Sequence, residues 1–476
     1  MTTLEEPLTD ADVGIEPVPH KLRRLGTAEV AVLWADLAVG VLVLAAGAVM
    51  VTPAASAGLG MDMRTAALAM VVGSVAGSLL LALVGVAGHD RGVPTMTLLR
   101  PVLGRFGSYG ASVVNVVQLI GWTAFEFWAM AQFASRISDQ LLGVTAFGVW
   151  LALVAIGCSA LALLGPVRLV QLWLKRAGIW ILLAGSGFLT VYLVTHHGLS
   201  HLLSGPRRGA PLAVGVDLVV AQPVSWLPLV ADYNRFSTGR RENFVGTFAG
   251  YAVGNCWFYA LGALLVLGAG LTDASPAGIA LSVLGLSVGA AVGVLLLASL
   301  LAGETHEAFA DIYSGAVSTQ NVFPRLPRAA AVITIGALGA ALAAVVDVGA
   351  FEAFLFLLGS VFVPLFAVLL ADWVSGGLRG ARRPHDPELR PAMILAWVVG
   401  FVVYHWLVAA GTMPAWWQRL VTTALPDAGT HTSWGASLPC FAVTFGLATL
   451  VGGARRWRDT QTGQALVGPE GSSGHR

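Results

Sequence analysis

Apolar runs of about 20 residues, separated by short segments that hold nearly all the charge, set the rhythm of this 476-residue chain. Twenty helical residues at 1.5 Å each cross the ~30 Å hydrocarbon core of a bilayer. Isolated strands would leave backbone groups unsatisfied in lipid, and barrel strands would alternate apolar and polar residues, which these runs do not. The pattern predicts an all-α integral membrane protein with twelve transmembrane helices, at 28–51, 65–87, 109–134, 144–164, 172–195, 211–231, 246–270, 288–312, 329–346, 351–373, 391–410 and 434–452. The apolar or mixed stretch from Ala277 to Ser318 is too long for one crossing. It divides into a short membrane-surface helix near 277–286 and the eighth span.

Composition agrees. Charged residues make up 11% of the chain and hydrophobic ones 56%, with a mean hydropathy of +0.77. A soluble domain carries roughly 25% charged residues to face water. The charge also has a side. With the N-terminus in the cytoplasm, 22 Lys and Arg fall on cytoplasmic segments and five (Arg64, Arg136, Arg207, Arg208 and Arg419) on outer loops. That asymmetry supports the orientation, both termini inside, and the even number of spans. Residues 1–27 are expected to be a cytoplasmic tail, 28–452 a single transmembrane domain and 453–476 a short, disordered cytoplasmic tail. Residues 1–26 hold no apolar core of a signal peptide, so the first span is expected to serve as the insertion signal. Cys158, Cys256 and Cys440 lie in apolar runs without metal spacing and read as small core residues. Arginine outnumbers lysine by 25 to 2, a bias typical of a GC-rich bacterial genome, which points to a bacterial cytoplasmic (inner) membrane.

Polar residues inside the spans carry the chemistry. In the third span Asn115, Gln118, Trp122 and Glu126 recur at spacings of 3, 4 and 4 and share one helical face. Such a stripe must face a cavity or another helix. A carboxylate at mid-membrane costs a few kcal/mol or more, so Glu126 is a functional candidate, the alternative being a packing pair with another helix. Trp122, one turn earlier, offers a flat π face for a planar ring, and the carboxylate can accept two hydrogen bonds from that ring's edge. A protonated aminopyrimidine fits. The sixth span holds Pro223 and Pro228, which interrupt the helical ladder beside Gln222, Ser225 and Trp226. Broken helices lining a cavity are how many transporters build their sites, although a plain kink would read the same. The eighth span ends in Glu304, Thr305, His306, Glu307 and Asp311, which suggests ion or proton handling unless the cluster merely snorkels to the interface. Asp36 and Gly40 in the first span are weaker candidates, and Asp36 is expected near the cytoplasmic end.

The chain resembles the nucleobase–cation symporters, relatives of the purine–cytosine permeases. The likeness rests on Gly88-His89-Asp90-Arg91-Gly92-Val93-Pro94 after span two, Gly121-Trp122, and the run from Ser225 to Phe236 closing span six. Further matching segments are Gly246-Thr247 with Gly250-Tyr251, Asp311-Ile312-Tyr313-Ser314 after span eight, Phe362-Val363-Pro364 with Ala371-Asp372, and Gly435-Ala436-Ser437-Leu438-Pro439. Several of these look most like the branch assigned to hydroxymethylpyrimidine, a thiamine precursor. The resemblance implies a LeuT-type fold of two inverted five-helix repeats, about 28–195 and 211–373, with two extra C-terminal helices over 391–452. It also implies cation-coupled alternating access. Substrate contacts would fall at Trp122, Glu126, Gln118, Gln222, Trp226 and Asp311, and cation coupling at Gly40, Ala302, Thr305, His306 and Glu307. His306 and Glu307 stand where sodium-using relatives carry hydroxyls, which favours H+ over Na+ as the coupling ion.

Substrate choice within the family remains open to cytosine, a purine, or another flat heterocycle such as allantoin or hydantoin. A membrane-embedded enzyme would need a nucleophile–base pair or a metal-ligand cluster at membrane depth, and none is expected. A channel would pass solute without a gradient, and a sensor would carry a soluble output domain. No cofactor, nucleic acid or obligate protein partner is expected, only solute, coupling cation and bilayer.

Overall fold

The computed structural model describes residues 13–56, 58–164, 179–198, 209–346, 349–378, 386–430 and 434–466. The start of the expected fifth span (172–178) lies outside the described residues. So do Arg168, Lys175, Arg176, Arg207, Arg208, Arg379, Arg382, Arg383 and Arg476, on which part of the charge count rests.

The first apolar run forms two helices, α1 (Thr27–Asp36) and α2 (Val41–Val51), bent by 57° across Leu37–Gly40. Then come α3 (Met63–Arg91), the single turns α4 (Thr95–Leu98) and α5 (Arg100–Leu103), α6 (Arg105–Leu142), α7 (Phe147–Ala162) and α8 (Ile179–His197). The sixth run is again interrupted, into α9 (Leu212–Ser225) and α10 (Val230–Asn234). The order continues with α11 (Arg240–Ala269), α12 (Pro276–Leu284), α13 (Ala290–Val322), α14 (Arg328–Ala343), α15 (Gly349–Val374), α16 (Pro391–Leu407), α17 (Ala415–Ala424) and α18 (Ser437–Leu466). Among the described residues α3, α6, α11, α13 and α15 are each long and apolar enough to cross a membrane, and α1 with α2 qualify jointly.

The bundle is apolar on its outer surface and carries its polar groups within an otherwise apolar interior. Val71 and Val75 on α3, Val113 and Val117 on α6, Leu153 and Ile156 on α7 and Ile333 on α14 are exposed. Asn115, Gln118, Glu126, Asn255, Glu304, Glu307 and Asp311 are buried. That arrangement suits a lipid solvent, where an apolar exterior costs nothing and unpaired polar groups must turn inward.

Small residues and amides set the packing. A Cβ on Gly262 of α11 would overlap the Leu44 carbonyl of α2, so only glycine lets these helices approach so closely. The long helices α6 and α13 are joined along a polar seam. Asn115 Nδ2 donates to Ser318 Oγ at 2.8 Å, and Asn321 Nδ2 donates to Ser112 and Ser108 at 2.9 and 3.2 Å.

That seam explains two departures from the sequence reading. The eighth span does not end near 312 but runs as one helix to Val322, and Asp311–Ser314 lie within it rather than after it. The third span likewise extends beyond 109–134 at both ends. Polar residues that bond to a neighbouring helix need no water, so they do not mark a helix end. The membrane-surface helix expected near 277–286 corresponds to α12, and α18 continues past Gly453 to Leu466.

Candidate functional site

The two interrupted helices meet at the centre. The break between α1 and α2 has no proline; Gly40 takes an extended conformation there, and a Cβ on it would collide with the carboxyls of Glu307 and Glu304. The break after α9 follows from Pro223 inside the helix and Pro228 in the turn at 226–229. Trp34 of α1 packs edge-on against Trp226 and Tyr233, at centroid distances of 6.2 and 6.1 Å. Its indole N–H donates to Asn234 Oδ1 at 2.7 Å, tying α1 to α10.

A narrow crevice opens beside these breaks, lined by Trp122, Gln222, Ser225, Trp226, Glu307 and Asp311. Its walls close on one another and leave no space for a water molecule. Trp122 is held edge-on by Phe354 and Phe351 of α15, at 5.3 and 6.0 Å, and no acceptor among the described residues reaches its indole N–H. Two indoles, an amide and two carboxyls lining one crevice are the groups that can grip a flat ring on its face and at its rim.

Of the six expected substrate contacts, four line this crevice: Trp122, Gln222, Trp226 and Asp311. Glu126 and Gln118 do not. Glu126 is fully buried behind Asp311, and the two carboxyls lie within hydrogen-bonding reach of each other. Gln118 is occupied by the scaffold, its Nε2 donating to Asn115 Oδ1 at 2.8 Å and to the Ser225 carbonyl at 3.2 Å. That carbonyl is freed by the break in the sixth run, so Gln118 caps it.

The residues expected at the cation divide in the same way. Glu304 accepts the Val41 backbone N–H at 2.6 Å, placing a carboxylate at the N-terminal end of α2, where the helix dipole favours it. His306 Nδ1 lies 2.9 Å from Asp36 Oδ2, both groups buried. Asp36 is therefore at the core of the molecule rather than near a cytoplasmic surface. Glu307 reaches from the Gly40 break into the crevice and touches both regions. Thr305 and Ala302 stand apart from this group: both are half-buried, and the Thr305 hydroxyl donates back to the Leu301 carbonyl at 2.9 Å. At about 100° per residue Thr305 points well away from the face that carries Glu304, Glu307 and Asp311, while Ala302 lies one turn before His306.

Several central residues were missed from sequence. Trp34 carried only an ordinary aromatic signal in the first span, and Phe351 and Phe354 were indistinguishable from core residues. Arg235, fully buried, donates to the Gly14 carbonyl at 2.7 Å and the Val13 carbonyl at 3.2 Å. Arg23 reaches the His89 carbonyl at 3.4 Å, and Val18 N–H donates to the Gly92 carbonyl at 2.8 Å. Residues 13–25 thus lie as a strap across the ends of α3, α10 and α13, where the sequence suggested only a tail. The basic residues within that polar stretch, and Arg235 just after the sixth apolar run, were the available signal.

Three solved structures share this architecture closely enough to compare. The chain superposes with a TM-score of 0.73 on Mhp1, a nucleobase-cation-symport-1 family transporter, in a closed conformation with bromovinylhydantoin bound. Identity is 18%, over 93% of this chain and 95% of that one. The inward-facing conformation of Mhp1 gives 0.71 at 16% identity, over 94% and 93%. A Na+-coupled sialic acid symporter in a substrate-bound outward-open state gives 0.61 at 12% identity, over 91% of both. At these identities the likeness establishes the fold, which is the LeuT-like one. No curated protein matches the chain by sequence. The family model described as permease for cytosine/purines, uracil, thiamine, allantoin matches residues 17–419, and the chain therefore belongs to that family of multi-pass membrane transporters.

Proposed function

We propose that this chain is a cation-coupled symporter that imports a flat, nitrogen-rich heterocycle, with hydroxymethylpyrimidine as the best single candidate. The reading rests on the crevice that joins Trp122, Trp226, Gln222 and Asp311 at the two helix breaks. Trp122 stacks on the ring, Trp226 closes the opposite side, Gln222 reads the rim, and Asp311 accepts from ring N–H groups. Twelve spans in two inverted repeats with two added C-terminal helices, both termini in the cytoplasm of a bacterial cell, complete the reading. The coupling ion is the proton. Asp36, Glu126, Glu304, Glu307, His306 and Asp311 crowd the centre, and the hydroxyl of Thr305, an oxygen ligand suited to sodium, is turned to its own helix.

Uptake into proteoliposomes tests both parts. Radiolabelled hydroxymethylpyrimidine should accumulate under an inward proton gradient with no sodium present. Strong accumulation under sodium alone, at equal pH on both sides, would remove the proton from the mechanism. A thermal-shift panel of hydroxymethylpyrimidine, cytosine, uracil, purines, allantoin, hydantoins and thiamine identifies the solute. A hydantoin is the second reading, favoured because a structure of the same fold was solved with bromovinylhydantoin bound. Stabilisation by hydantoins and by none of the pyrimidines would decide for it.

A further inference from the structure

Glu126 and Asp311 come from the two most closely joined helices, α6 and α13, and meet carboxyl to carboxyl. No N–H or O–H donor from any other described group reaches either oxygen of Glu126 or Oδ2 of Asp311. Ionised carboxylates are acceptors only, so two of them bond to each other only when one holds a proton. Two carboxyls that meet in a dry site share one proton for the same reason that paired carboxylates elsewhere do. The remaining ionisable groups around the pair are Glu304 and Glu307 on α13, the Cys158 thiol on α7 and the Tyr233 and Tyr251 hydroxyls of α10 and α11, with Asp36 of α1, itself paired to His306, facing Glu307. None of them is a permanent cation, so nothing there can replace the proton by charge pairing.

Only Asp311 of the pair borders the crevice, which it lines together with Trp122. We propose that the proton held between Glu126 and Asp311 is handed to the ring nitrogen of the bound solute, so that the site selects heterocycles with a basic amino–imino edge. The inference rests on the symporter reading above and names the class of substrate within it. The balance is simple. Before binding, the pair carries one proton and the solute is neutral. After binding, the proton is on the ring nitrogen, and the ring N–H and the adjacent amino N–H both donate to the Asp311 carboxylate. Glu126 is left ionised behind it. A 4-aminopyrimidine has such a nitrogen. A 4-oxo ring presents a carbonyl and an N–H instead, and its carbonyl is too weak a base to take the proton. Glu126 is here a positioning residue: it stores the proton without touching the solute.

Calorimetry on the full-length protein in nanodiscs separates the outcomes, with hydroxymethylpyrimidine against its 4-oxo counterpart and cytosine against uracil. At pH 7.5 the amino ligands should bind at least about tenfold more tightly than their oxo partners, as expected when neutral hydrogen bonds become charge-assisted. Their binding heats should not depend on the buffer's ionisation enthalpy, because the proton comes from the protein. The ultraviolet band of bound hydroxymethylpyrimidine should sit at its protonated position. Glu126→Gln should keep the site's shape but lose the stored proton. Amino ligands should then take up about one proton from buffer, bind about tenfold more weakly at pH 7.5, and recover at pH 5.5. A purely structural role would give a loss that lower pH does not repair. Asp311→Asn should erase the amino-over-oxo preference. Equal binding of oxo and amino rings, proton uptake from buffer by the unaltered protein, or an unchanged proton count in Glu126→Gln would overturn the proposal and leave the symporter reading standing. Failure of every heterocycle in the panel to bind would overturn both.

Discussion

Single side chains decide most of what the centre can do. Trp122 supplies the only broad aromatic face among the crevice residues on α6, and Phe354 and Phe351 hold it in place. Trp122→Ala should abolish stabilisation by ligand in a melting assay while leaving expression and insertion intact, whereas Trp122→Phe should retain part of it. Aromatic contacts contribute ~0.5–1.5 kcal/mol beyond their buried area, which sets the scale of the loss. Gly40 is constrained more sharply. An added methyl would enter the space of the Glu307 and Glu304 carboxyls, so Gly40→Ala should destabilise the fold by ~1–3 kcal/mol, read as a lower melting temperature. Because those carboxyls reach toward the crevice and α2, the same variant should lose uptake more completely than stability. The candidate residues were legible because lipid makes buried polar groups conspicuous in an apolar run. Which of them touch the crevice was not legible: Glu126 and Asp311 give the same signal in sequence, and only the packing of α6 on α13 puts one in front of the other.

At the level of helices, the structure turns on two interruptions and the groups that satisfy them. The freed Ser225 carbonyl is capped by Gln118 across the α6–α9 contact. Gln118→Leu should leave that carbonyl unpaired and cost ~1–3 kcal/mol of stability, with weaker ligand binding because Gln222 and Trp226 flank the same break. Restoring a helical residue by Pro223→Ala should have the opposite character, a protein at least as stable but slower to transport, measured as initial uptake rate. Asp217 accepts the Ala436 and Ser437 backbone N–H groups at 2.6 and 2.8 Å and so clamps α9 to the start of α18. The break in the sixth run was legible from its prolines. The break in the first run was not, because no residue between Leu37 and Gly40 forbids a helix. What opens it is the arrival of Glu304 at the Val41 N–H and of the Asp36–His306 pair, both supplied from α13 more than 260 positions away.

Across the whole molecule, one continuous apolar core runs through the bundle, and the central acids and amides are set into it. The strap of residues 13–25 closes one end, with Arg235 holding the Val13 and Gly14 carbonyls and Arg23 reaching back to His89. Removing residues 2–24 should lower the melting temperature and speed efflux of preloaded solute from proteoliposomes, since Arg235 would lose both carbonyl partners. The amino-acid sequence by itself determined that the chain is a bundle of membrane helices, that the interior holds acids and amides, and that residues 17–419 carry the family's pattern. It could do so because the bilayer imposes one rule on every segment: apolar runs must be about 20 residues long, and polar groups within them must turn inward. Tertiary structure alone decided which carboxyls meet, where the first run breaks, and that α13 continues through its polar residues. Those outcomes depend on partners distant in sequence, and hydropathy reports how a residue meets its solvent, not which neighbour it meets.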